Sequence, residues 1–231
     1  MSFESLLSSF WSNQQAVLPG SWVQFAGLYG AWALVLAWGV SALTRRWSLR
    51  YRVSVLAALA LLTVIPGPWS PAYWLGLAFQ SPSLTSVVWA VAALSSTGLA
   101  RPLNATRERW PGRWVACALG AGLGWVLLLD TLAWWPISIY ALGFSPVAVA
   151  ILALTLALGW VLWGGARTGR PSALAFAVPA LVLALFVVTR WPTGNVWDAL
   201  IDPWLWVGFQ GALLISAGRA WRLRGAPAIQ A

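Results

Sequence analysis

Apolar residues fill seven long segments of the chain, and short polar or proline-containing segments separate them. The apolar segments are residues 22–43, 53–65, 84–100, 114–129, 147–163, 173–188 and 203–217. An α-helix needs about 20 residues to cross a bilayer, and flanking tryptophan, tyrosine and arginine can complete a shorter apolar run. The pattern therefore predicts an all-α, polytopic integral membrane protein with about seven transmembrane helices.

Three regions follow from this division of the chain. Residues 1–20 begin with apolar residues spaced as on one face of a helix, which is typical of an amphipathic helix lying on a membrane surface. Those residues are Phe3, Leu6, Leu7, Phe10 and Trp11. Residues 21–217 are predicted to form the seven-helix domain. Residues 218–231 are predicted to form a basic cytoplasmic tail.

Charge gives the predicted helices an orientation. The composition is 60% hydrophobic and 8% charged, whereas a soluble domain has about 25% charged residues. All 14 basic residues are arginine, and all except Arg190 follow the first, third, fifth or seventh apolar segment. By the positive-inside rule these arginines lie in the cytoplasm, so the N-terminus is outside and the C-terminus inside. We expect a multi-pass protein of a bacterial inner membrane. The net charge of +9 is explained by this topology, and no nucleic-acid partner is predicted.

The residues that the chain lacks exclude several chemistries. There is no histidine and no lysine, which excludes histidine-bound metals, a histidine base and a lysine Schiff base. Cys117 is the single cysteine, so no intrachain disulfide can form. No cofactor, metal site or catalytic residue is predicted.

Three segments predicted to lie on the outer face share a pattern. Residues 69–82, 135–146 and 191–203 each open with tryptophan and an early proline, contain a central aromatic residue, and close with Ser-Pro or Asp-Pro. The closing pairs are typical of helix starts, and the aromatic centres are typical of short interfacial helices. The surrounding hairpins, residues 53–100, 114–163 and 173–217, are therefore possible internal repeats.

Four charged residues lie at the outer ends of the fourth, sixth and seventh apolar segments and form a candidate polar cluster. They are Asp130, Arg190, Asp198 and Asp202. Ionisable groups at such positions are usually paired or functional, and one hypothesis is that Arg190 pairs with one or more of the aspartates. The alternative is structural: Asp130 caps a short interfacial helix, Asp202 caps the last long helix, and Asp198 is solvated.

Aromatic side chains of the same turns form a candidate binding surface. The residues are Trp69, Trp74, Trp135, Tyr140, Trp191 and Trp197. Rings at this depth can stack on a lipid headgroup, a sugar or a quinone, although most of the 20 tryptophans fit two aromatic belts at the membrane interfaces. Separately, Ala116, Gly120 and Gly124 recur every four residues, a spacing that lets two membrane helices approach closely.

These patterns predict a non-enzymatic inner-membrane subunit or accessory protein. Its partners would be the lipid bilayer and a membrane or periplasmic protein, bound through the aromatic outer face. The alternative is a small transporter or lipid-linked glycan enzyme that uses the Asp/Arg cluster. Scarce charge within the apolar segments favours the first hypothesis, because transport sites need polar groups near the middle of the membrane.

Overall fold

A computed structural model describes residues 17–96, 113–134, 136, 138–164 and 170–224. Within these residues the chain forms ten α-helices and no β-strand, which confirms the all-α fold class. The helices are α1 (Ser21–Leu43), α2 (Leu49–Val64), α3 (Pro71–Phe79), α4 (Leu84–Ser96), α5 (Arg113–Thr131), α6 (Ile139–Leu142), α7 (Pro146–Gly159), α8 (Arg170–Thr189), α9 (Val196–Leu200) and α10 (Pro203–Arg224). A π-helical turn, Trp160–Gly164, continues α7.

Each of the seven apolar segments is helical in the part of the chain that the structure describes. Two helices are long and apolar enough to cross a membrane by length and composition, namely α1 and the Trp114–Thr131 part of α5. Helix α10 extends to Arg224, beyond the predicted start of the basic tail at residue 218. The predicted amphipathic segment falls largely on residues 1–16, which lie outside the described residues, and residues 17–20 are not helical.

The three predicted turns each contain one short helix, α3, α6 or α9. A side chain at the N-cap starts each of them, because its oxygen accepts a hydrogen bond from an otherwise unpaired helix amide. The N-cap residues are Ser70 for α3, Ser138 for α6 and Asn195 for α9. The prediction of short helices inside these turns is therefore confirmed.

The long helices that follow the turns begin largely as predicted, with one correction. Ser145 caps α7 through Val147 N, and Asp202 caps α10 through Leu205 N. The Ser81-Pro82 pair does not start helix α4 as predicted, and the helix begins with the predicted apolar segment 84–100 instead. It begins at Leu84, and the Oγ of Ser83 accepts a hydrogen bond from the amide of Ser86. A serine directly before the helix provides this oxygen, so the preceding Ser-Pro pair is left outside it.

The main hydrophobic core lies between α1, α4, α7, α8 and α9. Its largest fully buried side chain is Phe186 of α8, which is surrounded by aliphatic residues and by Trp191. A smaller cluster of Tyr29, Trp32 and Ala72 joins α1 to α3. The third turn is thus part of the core, since α9 and Trp191 pack into it.

Helices α5 and α10 form a closely packed pair beside this core. A Cβ added at Gly120 would lie 2.2 Å from the Phe209 ring, and one at Gly124 would lie 2.2 Å from the Trp206 indole. The indole Nε1 of Trp206 also donates a hydrogen bond of 3.1 Å to the carbonyl of Ala121. The glycines therefore allow aromatic side chains of α10 to approach the backbone of α5, as their spacing predicts.

The three turns meet at one end of the bundle, which we call the turn end. The third turn contacts the second turn, because Asp198 accepts a hydrogen bond from Tyr140, and it contacts Ser83, directly after the first turn, through Asp202. The start of α1 belongs to the same end, since a Cβ at Gly27 would lie 2.1 Å from the Trp191 indole.

The opposite end of the bundle carries arginines, and we call it the arginine end. Helices α1 and α10 both begin at the turn end and run away from it. Arg45 and Arg46 follow α1, Arg219 and Arg222 lie in the last turns of α10, and all four are exposed. The fold therefore separates these arginines from the three aspartates by the length of the helices.

Candidate functional site

Asp202 is the most completely bonded of the predicted site residues. Its side chain is buried, and Oδ2 accepts hydrogen bonds from Ser83 N at 2.8 Å, Ser83 Oγ at 2.8 Å and Ser86 Oγ at 2.5 Å. Its Oδ1 accepts a fourth bond of 2.8 Å from Leu205 N. One carboxylate thus caps α10 and holds the start of α4, as the structural alternative expected for the helix cap.

Asp198 joins the second turn to the third. Its Oδ2 accepts a hydrogen bond of 2.7 Å from the Tyr140 hydroxyl and another from the Thr193 hydroxyl. Burial and the adjacent Asp198 carboxylate raise the pKa of the Tyr140 phenol well above its usual range. The neutral phenol therefore remains a hydrogen-bond donor at every physiological pH. The alternative that Asp198 is simply solvated is not what the structure shows.

Asn195 is fully buried and also joins the second turn to the third. Its Nδ2 donates to the carbonyl of Tyr140 at 2.9 Å, while its Oδ1 accepts from Trp197 N at 2.9 Å. Trp197 Nε1 donates to the carbonyl of Ile139 at 3.0 Å, and Val196 N donates to the carbonyl of Gly143 at 3.0 Å. Sequence reasoning missed Asn195, although an asparagine directly before a short helix is a recognisable N-cap signal.

Gly143 lies where the second turn contacts the third, and the contact leaves no space for a side chain. A Cβ at residue 143 would lie 1.9 Å from Asn195 Oδ1 and 2.4 Å from the Trp197 ring. Any side chain larger than hydrogen would push α6 away from the third turn.

Asp130 lies at the end of α5, and its carboxylate accepts hydrogen bonds from the start of α6, which comes several residues later in the chain. Its Oδ1 accepts from Ile139 N at 2.9 Å, and its Oδ2 accepts from Tyr140 N at 2.7 Å and from Ser138 Oγ at 3.3 Å. Ile139 N and Tyr140 N are amides of the first turn of α6, and such amides lack partners inside the helix. Asp130 therefore caps the short helix, as the structural alternative predicted.

Arg190 does not join the aspartates. Within the described residues its guanidinium carbon lies 5.5 Å from the centre of the Phe186 ring, and it forms no ion pair with Asp130, Asp198 or Asp202. Its backbone has a positive φ of 56°, which turns the chain from α8 into the third turn. The four residues therefore do not form one cluster: each aspartate has its own hydrogen-bond partners, and Arg190 lies over an aromatic ring.

The six aromatic residues proposed as a binding surface differ in their exposure. Trp69 and Trp74 are 84% and 59% exposed in the first turn. Tyr140 and Trp197 are partly buried and use their polar atoms within the protein. The prediction that Trp191 belongs to a binding surface is wrong. Its side chain is 5% exposed, because its ring packs against Gly27. Trp135 lies outside the described residues.

Other exposed tryptophans at the turn end were not among the predicted surface residues. They are Trp22 at the start of α1, Trp134 after α5 and Trp204 at the start of α10. The ring of Trp204 also contacts Phe79 at the end of α3, with centroids 4.8 Å apart. The exposed aromatic face therefore extends beyond the first turn.

An open apolar groove of about 750 Å³ lies between α7 and α8. Alanines form much of its walls, and Trp160 and Phe176 meet edge to face at one end of it. Its lining residues are apolar except for the indole N–H of Trp160. The described residues also contain no group of three His, Cys, Asp or Glu side chains that could hold a metal ion.

Comparison of the chain with protein-family models, with curated proteins and with solved structures found no match.

Proposed function

We propose that this chain is a non-enzymatic, multi-pass subunit or accessory protein of a bacterial inner membrane. In this proposal seven helices cross the membrane, with the N-terminus outside and the C-terminus in the cytoplasm. The turn end faces the periplasm and binds a protein or lipid partner through its exposed aromatic residues. The separation of aspartates and arginines between the two ends supports the orientation.

One observation carries the proposal: the carboxylates at the turn end are engaged in structural bonds, while large aromatic rings are left exposed. Asp202 accepts four hydrogen bonds, and Asp130 accepts three from the first turn of α6 and its cap. A carboxylate that acts as a general acid or base must reach the proton that it transfers, and the oxygens of Asp202 and Asp130 already accept bonds from amides and hydroxyls of the chain. Losing these bonds would detach one turn from another, which favours a binding protein over a transporter or glycan enzyme.

The exposed rings of the first turn are the proposed contact with the partner. Trp69 and Trp74 project from a segment that is held by internal hydrogen bonds, including Trp74 Nε1 to the carbonyl of Pro68 at 2.8 Å and Ser70 Oγ to the carbonyl of Thr63 at 2.6 Å. Rigid, exposed indoles bury a large apolar area at low entropic cost when a partner covers them.

Site-specific photocrosslinking in intact cells tests this proposal. A photoreactive amino acid at position 69 or 74 should give one discrete adduct with a protein, or one class of lipid. The same amino acid at position 221, an exposed tryptophan of the arginine end, is the matched control and should not give the protein adduct. Trp69→Ala combined with Trp74→Ala should abolish stoichiometric co-purification of the crosslinked partner without changing the amount of folded protein. Equal, diffuse labelling from positions 69 and 221 would contradict the proposal.

A further inference from the structure

Exposed tryptophans flank each of the two helices that can cross a membrane, one at each end. Helix α1 has Trp22 at the turn end and Trp47 just beyond the arginine end. Helix α5 runs in the opposite direction, with Trp114 at the arginine end and Trp134 at the turn end. All four rings are more than half exposed. Tryptophan is enriched at both membrane–water interfaces, where its apolar ring and polar N–H are both accommodated.

Helix α10 has the same arrangement, although it is not one of the two helices that qualify by length and composition. Trp204 lies at its turn end and Trp221 at its arginine end, and both are exposed. At 1.5 Å per residue these two positions are about 26 Å apart along the helix axis. Between them, Val207, Leu214 and Ile215 expose apolar side chains, and the exposed polar residues Ser216 and Arg219 follow towards the arginine end.

The lengths of the three helices agree with one bilayer. Helix α1 has 23 residues, α5 has 19 and α10 has 22, which correspond to about 34, 28 and 33 Å. The hydrocarbon core of a bilayer is about 30 Å thick. Tryptophans just outside or inside these ends would therefore lie at the level of the lipid headgroups.

We infer that these six tryptophans form two rings that hold the bundle in a bilayer, and that α10 crosses it together with α1 and α5. The outer ring is Trp22, Trp134 and Trp204, and the inner ring is Trp47, Trp114 and Trp221. The inference rests on the membrane placement in the proposed function and specifies which helices cross and at what depth. A protein partner needs only one continuous face, whereas a bilayer contacts every crossing helix at two levels.

Charge identifies the lipid at the inner ring. Arg45 and Arg46 lie beside Trp47, and Arg219 and Arg222 lie beside Trp221, all exposed. Guanidinium groups next to a membrane surface attract anionic headgroups and lose this attraction at high salt. Among the described arginines only Arg190 lies at the turn end, and its guanidinium lies over the Phe186 ring. The inner ring therefore fits a leaflet rich in anionic lipid.

Thiol labelling in oriented membranes tests whether α10 crosses. The background is Cys117→Ser, which removes the single native cysteine. Single cysteines then replace Trp204, Leu214 and Trp221, and a membrane-impermeant maleimide is added to right-side-out or inside-out vesicles. Position 204 should be labelled from outside only, position 221 from inside only, and position 214 from neither side. Trp22→Cys and Trp47→Cys provide the same test for α1.

The outcomes separate this inference from the proposed function. If positions 204 and 221 are labelled from the same side while positions 22 and 47 are on opposite sides, the inference fails together with the count of seven crossing helices, whereas the placement in a membrane and the partner contact of Trp69 and Trp74 stand. If positions 22 and 47 are also on the same side, the membrane placement itself fails.

A second measurement compares tryptophan fluorescence quenching of the unmodified chain with that of a chain carrying both Trp204→Phe and Trp221→Phe, because the other tryptophans contribute equally to both. The vesicles contain lipids that carry bromine either near the headgroups or at the bilayer centre. The two substitutions should reduce the quenching by bromine near the headgroups and leave the quenching by bromine at the centre unchanged. A reduction only for bromine at the centre, or no reduction for either, would overturn the two-ring arrangement.

Discussion

The two ends of the bundle use their charged residues in opposite ways. At the turn end, Asp130, Asp198 and Asp202 accept hydrogen bonds from neighbouring turns. At the arginine end, Arg45, Arg46, Arg219 and Arg222 are exposed. The difference follows from the chemistry of the groups: carboxylates accept bonds from the unpaired amides of helix starts, whereas long arginine side chains can extend towards water or headgroups. Removing a charge should therefore damage the fold at the turn end and leave it almost unchanged at the arginine end.

Asp202→Ala should show this contrast most strongly. The substitution leaves donors of Ser83, Ser86 and Leu205 without their acceptor in a buried site, and we expect a loss of about 3 kcal/mol in the free energy of unfolding. Denaturation in detergent micelles, followed by tryptophan fluorescence, measures it. Arg222→Ala is the matched control and should change the stability by less than about 0.5 kcal/mol. Equal effects of the two substitutions would remove the distinction between the ends.

Gly143→Ala tests the contact between the second and third turns without removing a charge. The new methyl group would overlap Asn195 Oδ1 and the Trp197 ring, and we expect a loss of about 2 kcal/mol from overpacking. Gly122→Ala in α5 is the control, because a Cβ there meets nothing within 4 Å. That control should be neutral or gain up to about 1 kcal/mol from the higher helix propensity of alanine. A neutral Gly143→Ala would mean that α6 is not pressed against the third turn.

Asp130→Ala should have a smaller and more local effect. The carboxylate caps α6 but is partly exposed, so its removal should cost about 1 kcal/mol. Hydrogen exchange at the amides of Ile139 and Tyr140 should become faster, while exchange within α8 should not change. Thr131→Ala, at the neighbouring exposed position, should leave both regions unaffected. Unchanged protection of α6 in Asp130→Ala would show that the cap is dispensable.

The Tyr140–Asp198 hydrogen bond should give the smallest effect, visible as a dependence on alkaline pH. Because the folded-state pKa of Tyr140 is raised, its contribution is fully present below the ordinary tyrosine pKa of about 10 and is lost as pH rises towards the folded-state value. Tyr140→Phe should cost about 1 kcal/mol at neutral pH. Between about pH 9 and pH 12, a range around the ordinary tyrosine pKa, the Tyr140→Phe variant should lose less stability than the unmodified chain. Tyr51→Phe, at an exposed tyrosine, should retain the full alkaline loss.

Much of the architecture could be predicted from the pattern of apolar residues. The seven apolar segments are helical where the structure describes them, since a run of Ala, Leu and Val has few alternatives to a helix. Local capping was also predictable, because Ser145 and Asp202 stand directly before α7 and α10. The cap of α4 was misplaced, because the Ser81-Pro82 pair resembles a helix start and the true cap, Ser83, follows it directly.

The partners of the candidate site residues could not be predicted. Nothing in the neighbourhood of Asp202 indicates Ser83, and nothing near Tyr140 indicates Asp198, because each pair is distant along the chain. The pairing expected for Arg190 relied on opposite charge alone, and the fold places its side chain over Phe186 instead. Trp191 resembled the surface tryptophans in sequence, yet its ring is in the core.

The sequence by itself determined an apolar, helical chain with acidic residues and arginines in alternating connections, because helix formation and capping depend on residues close together. Only the tertiary structure decided that the three turns converge, that Asp202, Asp198 and Asp130 connect neighbouring segments, and that Trp69 and Trp74 are exposed while Trp191 is buried. Hydrogen bonds and burial depend on which distant segments meet, and that is fixed by packing contacts such as Gly27 against Trp191 and Gly143 against Asn195.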